Sequence, residues 1–200
     1  MPDLLIDSVW PGLAAWALLY TSDYALTIWG ATLYQKHART TIAFEGSIEL
    51  TPVYQQDVDA LRVVSPRFLF YLTMYLTVIA LSWRFVRASF PELHAFFLGT
   101  LLLLELAVHV RHLRNLALFR AIAKGDGIQG RIEYSRATAL RLSMIELTAF
   151  AGTFFVIFLF TWSSFVLGGA IACLAVAQQH RELAWKADSR RRDEATASAS

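Results

Sequence analysis

Phe96-Phe97-Leu98-Gly99-Thr100-Leu101-Leu102-Leu103-Leu104-Glu105-Leu106-Ala107-Val108-His109 is the stretch whose reading decides the fold. It is apolar except for one hydroxyl, one carboxylate and one imidazole, and it lacks the period-two alternation of a half-buried strand. With its flanks it runs from about Leu93 to Phe119. A helix needs roughly 20 mostly apolar residues to cross about 30 Å of hydrocarbon. Only helices and closed barrels satisfy their backbone groups in lipid. A membrane-spanning helix is therefore expected here.

Four further stretches read the same way, about 9–34, 68–90, 142–160 and 165–178, so the chain is expected to be an all-α, polytopic bundle of about five transmembrane helices. Trp10, Trp16 and Tyr20 near one end of the first stretch, with Trp29 and Tyr34 near the other, suit interfacial aromatic belts. Ser65-Pro66 is a start signal for the second, serine as cap and proline in the first turn, and Pro91 closes it. Thr161-Trp162-Ser163-Ser164 is a tight connection that predicts an antiparallel hairpin of the last two spans. A single bent helix through Gly168-Gly169 is the competing reading.

Lysine and arginine placement orients the bundle. With the N-terminus outside and the C-terminus inside, sixteen of the eighteen basic residues fall on the inner side, leaving Arg84 and Arg87 outside. That is the bias of the positive-inside rule, and it suits a prokaryotic-type inner or plasma membrane. The start of the chain lacks the basic leading region of a cleaved signal, so the first span is expected to remain in the mature protein.

Composition agrees with this. The chain is 56% hydrophobic and 17% charged, against about a quarter charged in soluble domains. A net charge of +2 without a basic stripe argues against nucleic acid. The lone Cys173 excludes an internal disulfide framework and a thiolate zinc site.

Outside the spans, Pro52 to Val64 predicts a short inner amphipathic helix. Val53, Tyr54, Val58 and Leu61 lie on one side, and Gln55, Gln56, Asp57 and Asp59 on a polar one. Glu45 and Glu49 are read as solvated loop carboxylates, with lining of an inner vestibule as the alternative. Gly125-Asp126-Gly127-Ile128-Gln129-Gly130 mimics a dinucleotide fingerprint, but with no preceding strand it reads as a flexible turn. Residues 1–187 form one transmembrane domain, and 188–200 an expected disordered polar tail.

Function hinges on the polar residues at membrane depth: Asp23, Glu105, His109 and Glu146, with Arg111 as the nearest guanidinium. A carboxylate in hydrocarbon costs roughly 2.5–3.5 kcal/mol on insertion scales, so such groups are paired, protonated or hydrated. Tyr24, Thr27, Thr73 and Thr77 offer hydroxyls to the same network. The leading active reading is a pathway for protons or cations, with the carboxylates as exchange sites and His109 as relay. A second reading is an accessory or scaffold subunit whose polar core is architectural. A third is a membrane metalloenzyme, with Glu105, His109 and His112 at i, i+4 and i+7 as ligands to a divalent metal. No other cofactor is expected, and the sequence leans away from an enzyme. Expected partners are the lipid bilayer and other membrane subunits or a second copy. Gly168, Gly169, Ala170, Ala172 and Ala175 suggest close helix packing.

Overall fold

The computed structural model describes residues 7–125, 128 and 130–199. The chain is mostly helical. Six helices follow in order: α1 (Val9–Leu33), α2 (Gln55–Asp59), α3 (Pro66–Leu81), α4 (Pro91–Lys124), α5 (Arg136–Thr161) and α6 (Ser164–Ala199). Wider π-helical turns extend α1 through Tyr34–Ala38 and α3 through Ser82–Val86. Among the described residues, three segments are long and apolar enough to cross a membrane: Pro66–Val86, Pro91–Lys124 and Arg136–Thr161. Such helices imply a membrane association. In α1 Ser22, Asp23 and Thr27 interrupt the apolar sequence, and the apolar part of α6 stops at Gln178-Gln179-His180-Arg181.

The ends follow local chemistry. Ser65 Oγ accepts from the Arg67 and Phe68 amides ahead of Pro66, as the capping signal predicts. Ser135 caps α5 through the Thr138 amide. Gly125 closes α4 in the left-handed region at φ 72°. Trp162, at φ 51°, ends α5, and α6 starts two residues later, so 162–163 is a hairpin turn and the unbroken bent helix is excluded.

Contacts fix the helix directions. Ser22 meets His109, Thr27 meets His112 and Tyr34 meets Phe119, so α1 and α4 are parallel. Phe68 stacks on Tyr24 while Tyr75 touches Trp16, so α3 runs antiparallel to α1. Gly99 faces Phe165 and Leu103 faces Gly169, so α6 is parallel to α4. A side-chain carbon at Gly99 would collide with the Phe165 carbonyl, and one at Gly168 with that of Phe96. Close packing of the small residues of α6 is thereby realised. Ala170, Ala172 and Cys173 are buried, whereas Ala175 is exposed.

Several expectations need correction. Trp16, Tyr20 and Tyr34 are buried and form no belt: Trp16, Tyr20 and Phe68 stack in the core, and Tyr34 packs on Phe119. Trp10 and Trp29 stay exposed. Ile42–Phe44 (β1) pairs in parallel with Ile132–Tyr134 (β2), Ile42 opposite Ile132, where irregular connections were expected. The amphipathic helix shrinks to α2. Its acidic face is not solvated throughout, because Asp57 is 1% exposed, beside Arg62 and Arg67. The stretch 188–199, expected to lack order, continues α6. It is rich in helix-forming alanine and arginine, and Asp188 pairs with Arg141 of α5. Of the glycine-rich turn, residues 126, 127 and 129 lie outside the described ones.

Candidate polar centre between the parallel helices

One cluster sits where α1 and α4 touch. Ile28, Ala31, Leu98 and Leu102 pack in the shared core of the two helices, and Asp23 and Glu105 are part-buried beside it. Asp23 on α1 meets Glu105 and His109 on α4, and one donor atom from each lies within 4.8 Å of the other two. Glu105 and His109 share a helix face because they are one turn apart.

His109 is held at both ring nitrogens. Nδ1 donates to the Glu105 backbone carbonyl at 2.7 Å, and Nε2 lies 2.8 Å from Ser22 Oγ. Ser22 has one proton and two acceptors, His109 Nε2 and the Leu19 carbonyl at 3.0 Å. His112 Nε2 lies 3.2 Å from Asp23 Oδ1 and 3.3 Å from Thr27 Oγ1. Asp23 Oδ1 is buried and accepts no well-aligned hydrogen bond from that imidazole. Glu105 Oε2 is likewise buried without a partner. Buried polar oxygens of this kind ask for a ligand, a proton or water.

The cluster opens on a cavity of about 250 Å³ whose walls include Asp23, Glu105, Arg111, His112, Tyr54 and His180. A larger cavity of about 460 Å³ shares Thr27, Glu49, Arg111 and His112 with it and extends towards Glu146 and Phe44. Towards the α1 N-terminus the stacked rings of Trp16, Tyr20 and Phe68 are buried, Tyr20 and Phe68 forming part of the cavity wall. Tyr20 Oη is hydrogen-bonded to Tyr54 Oη, tying α1 to the turn before α2.

That turn is held from two sides. Arg136 donates to the carbonyls of Ser47, Glu49 and Leu50 at 3.1–3.2 Å. Asp57 accepts from Ser65 Oγ at 2.6 Å and from Arg62 at 2.9 Å. The Ser65 hydroxyl, and then Arg67 and Arg62, hold its carboxyl below the usual carboxylate range against the opposing effect of burial. Burial pushes the Tyr54 phenol up to about 12. Glu49 is buried, with Oε1 accepting from the Thr51 amide, and Glu45 accepts from the Arg136 amide. Glu45 stays exposed, as a solvated loop carboxylate should, whereas Glu49 does not and lines both cavities.

The remaining candidates separate. Glu146 pairs with Arg114, whereas Arg111 reaches Ser143. The guanidinium one turn further along α4 takes the carboxylate, and Glu146 lines the larger cavity with Glu49 and Arg114, apart from Asp23 and Glu105. Asp23 completes the donor group with Glu105 and His109, and His112 stands beside it. Tyr24 donates to the Arg62 carbonyl. Thr77 bonds back to the Thr73 carbonyl on exposed α3, outside the network. Ser22 and Arg136 escaped the sequence reading. Ser22 directly precedes Asp23, and Arg136 directly follows the cap Ser135, the only local signals either carries. Comparison with protein-family models, curated proteins and solved structures yields no match.

Proposed function

We propose that this chain is a multi-pass membrane protein that takes up and exchanges protons or cations at the Asp23–Glu105–His109 centre. Five crossings by α1, α3, α4, α5 and α6, with the N-terminus outside and the C-terminus inside, make the frame. Parallel α1, α4 and α6 support it, because helices one, three and five of an alternating bundle must share a direction. So does the β1–β2 pair, which joins the chain after α1 to the chain after α4 on the side rich in arginine. Such a frame suits a prokaryotic-type plasma membrane.

One observation carries the exchange reading: carboxylates from two helices wall one cavity, and one oxygen of each is buried without accepting a hydrogen bond. Anionic oxygens at membrane depth are costly without a counter-charge, and a cation or proton supplies it. The cavity also touches Glu49, Leu50 and Thr51, in the segment after α1 on the arginine-rich side, and an exchange site in this frame would use that route. In liposomes, wild-type protein is expected to carry a proton or cation flux that Glu105→Gln and Asp23→Asn reduce. Equal flux in all three sinks this reading.

A second reading is favoured by Arg114–Glu146 and Arg141–Asp188, which bind α4 to α5 and α5 to α6 without involving the centre. On it the chain is an accessory subunit with an architectural polar core. Unchanged flux with lower thermal stability in Asp23→Asn is its signature.

A further inference from the structure

Resting on the exchange reading, we infer that the centre is a divalent transition-metal site with Asp23, Glu105 and the Nε2 atom of His109 as its protein ligands. Three features beyond the acidic pair carry this.

The first is the histidine. A metal-binding imidazole usually donates its other N–H to a carbonyl or carboxylate, which fixes the tautomer and aims the lone pair. His109 Nδ1 donates to the Glu105 carbonyl, so in the neutral ring the lone pair sits on Nε2. Ser22 Oγ meets that nitrogen, yet its hydroxyl has a second acceptor in the Leu19 carbonyl. Rotation of the Ser22 side chain about χ1 therefore carries Oγ off Nε2 and exposes the lone pair without moving the backbone.

The second is the orphaned oxygens. Asp23 Oδ1 and Glu105 Oε2 are buried and accept no aligned hydrogen bond, the former with His112 Nε2 at 3.2 Å. One ligand atom from each of Asp23, Glu105 and His109 lies within 4.8 Å of the other two. In a tetrahedral shell with bonds near 2.1 Å, donors stand about 3.4 Å apart, so the ion has to draw them in by at most about 1.4 Å. Two carboxylates and a dication sum to zero charge, which suits a site in a low-dielectric interior.

The third is access and selectivity. The cavity of about 250 Å³ leaves room for water or a fourth ligand. One imidazole with two carboxylates, and no thiolate nearby, fits zinc, manganese, iron or cobalt better than Cu(I). Cys173 is buried in the α4–α5–α6 contact, in a different cluster. Magnesium and calcium prefer all-oxygen shells.

The test uses the full chain in detergent, stripped by chelator and titrated with Zn²⁺ and Co²⁺. One equivalent per chain is expected, with affinity at least about ten-fold lower in Asp23→Asn and Glu105→Gln. Binding should survive in Glu146→Gln, since Glu146 belongs to the Arg114 pair. Should the two variants fail to fold, X-ray absorption on zinc-loaded wild type still decides. It should show one imidazole nitrogen at about 2.0–2.1 Å among oxygen neighbours. Absent stoichiometric binding, equal affinity in the two variants, or a shell without imidazole overturns the metal site. If Glu105-dependent flux persists in that case, the exchange reading stands with protons or monovalent cations. If the flux is absent as well, both fall.

Discussion

Asp57 and Ser65 give the clearest titration in the molecule. The native carboxyl titrates below its ordinary value of 3.8, principally because Ser65 Oγ donates to it. A group depressed in the folded state contributes stability that is complete above the unfolded value. That contribution is lost as pH falls through the lowered native one. Ser65→Ala is expected to weaken this acid-sensitive arm and to cost about 1–3 kcal/mol at neutral pH. It removes a charge-assisted bond and a helix cap together. Unfolding at pH 7 and pH 3 checks it, and an unchanged pH dependence would contradict the assignment. At this scale the sequence was legible wherever lipid makes a residue expensive: Asp23, Glu105 and His109 stood out because hydrocarbon should exclude them. Partner choice was not legible. Arg111 and Arg114 lie a turn apart on a helix whose rotation against α5 no single sequence specifies, so the pairing of Glu146 with Arg114 emerged only in three dimensions. Ser22 is equally silent, since most serines on a helix merely bond the preceding turn, as this one also does at Leu19.

Gly168 and Gly152 make a matched pair among the elements. A methyl at Gly168 meets the Phe96 carbonyl of α4, whereas one at Gly152 meets nothing within 4 Å. Gly168→Ala should force α4 and α6 apart and cost about 1–3 kcal/mol. Gly152→Ala should be neutral or slightly stabilising, because alanine is the better helix former by up to about 1 kcal/mol. Thermal unfolding in detergent compares them, and equal melting would refute the close contact. Arg136→Ala, which loses three carbonyl contacts, should speed hydrogen exchange across residues 45–51 while leaving α4 protected. The long helices were readable because twenty apolar residues leave few alternatives. Their extensions and the three-residue strands were not. The β1–β2 pair joins residues about ninety positions apart, and α6 runs on past its apolar part because its polar residues favour helix without burial.

For the whole molecule, the account makes α1, α4 and α6 run one way and α3 and α5 the other. In a Cys173→Ser background, Thr161→Cys at the α5–α6 turn should react with an impermeant thiol reagent only from the outer side. Lys186→Cys should react only from the inner side. The reverse pattern would invert the orientation, and labelling of both from one side would remove the crossing by α6. The basic-residue bias is what orients the proposed frame, while the burial of Trp16 and Tyr20 was not legible, because aromatic residues suit the membrane edge and the core alike. The most direct measurement is an infrared difference spectrum of the purified protein, recorded on exchange between cation-free and cation-loaded buffer. The account predicts carboxylate bands in wild type that Asp23→Asn and Glu105→Gln each remove in part and Glu146→Gln leaves in place. Identical difference spectra in wild type, Asp23→Asn and Glu105→Gln would show that no cation meets these carboxylates.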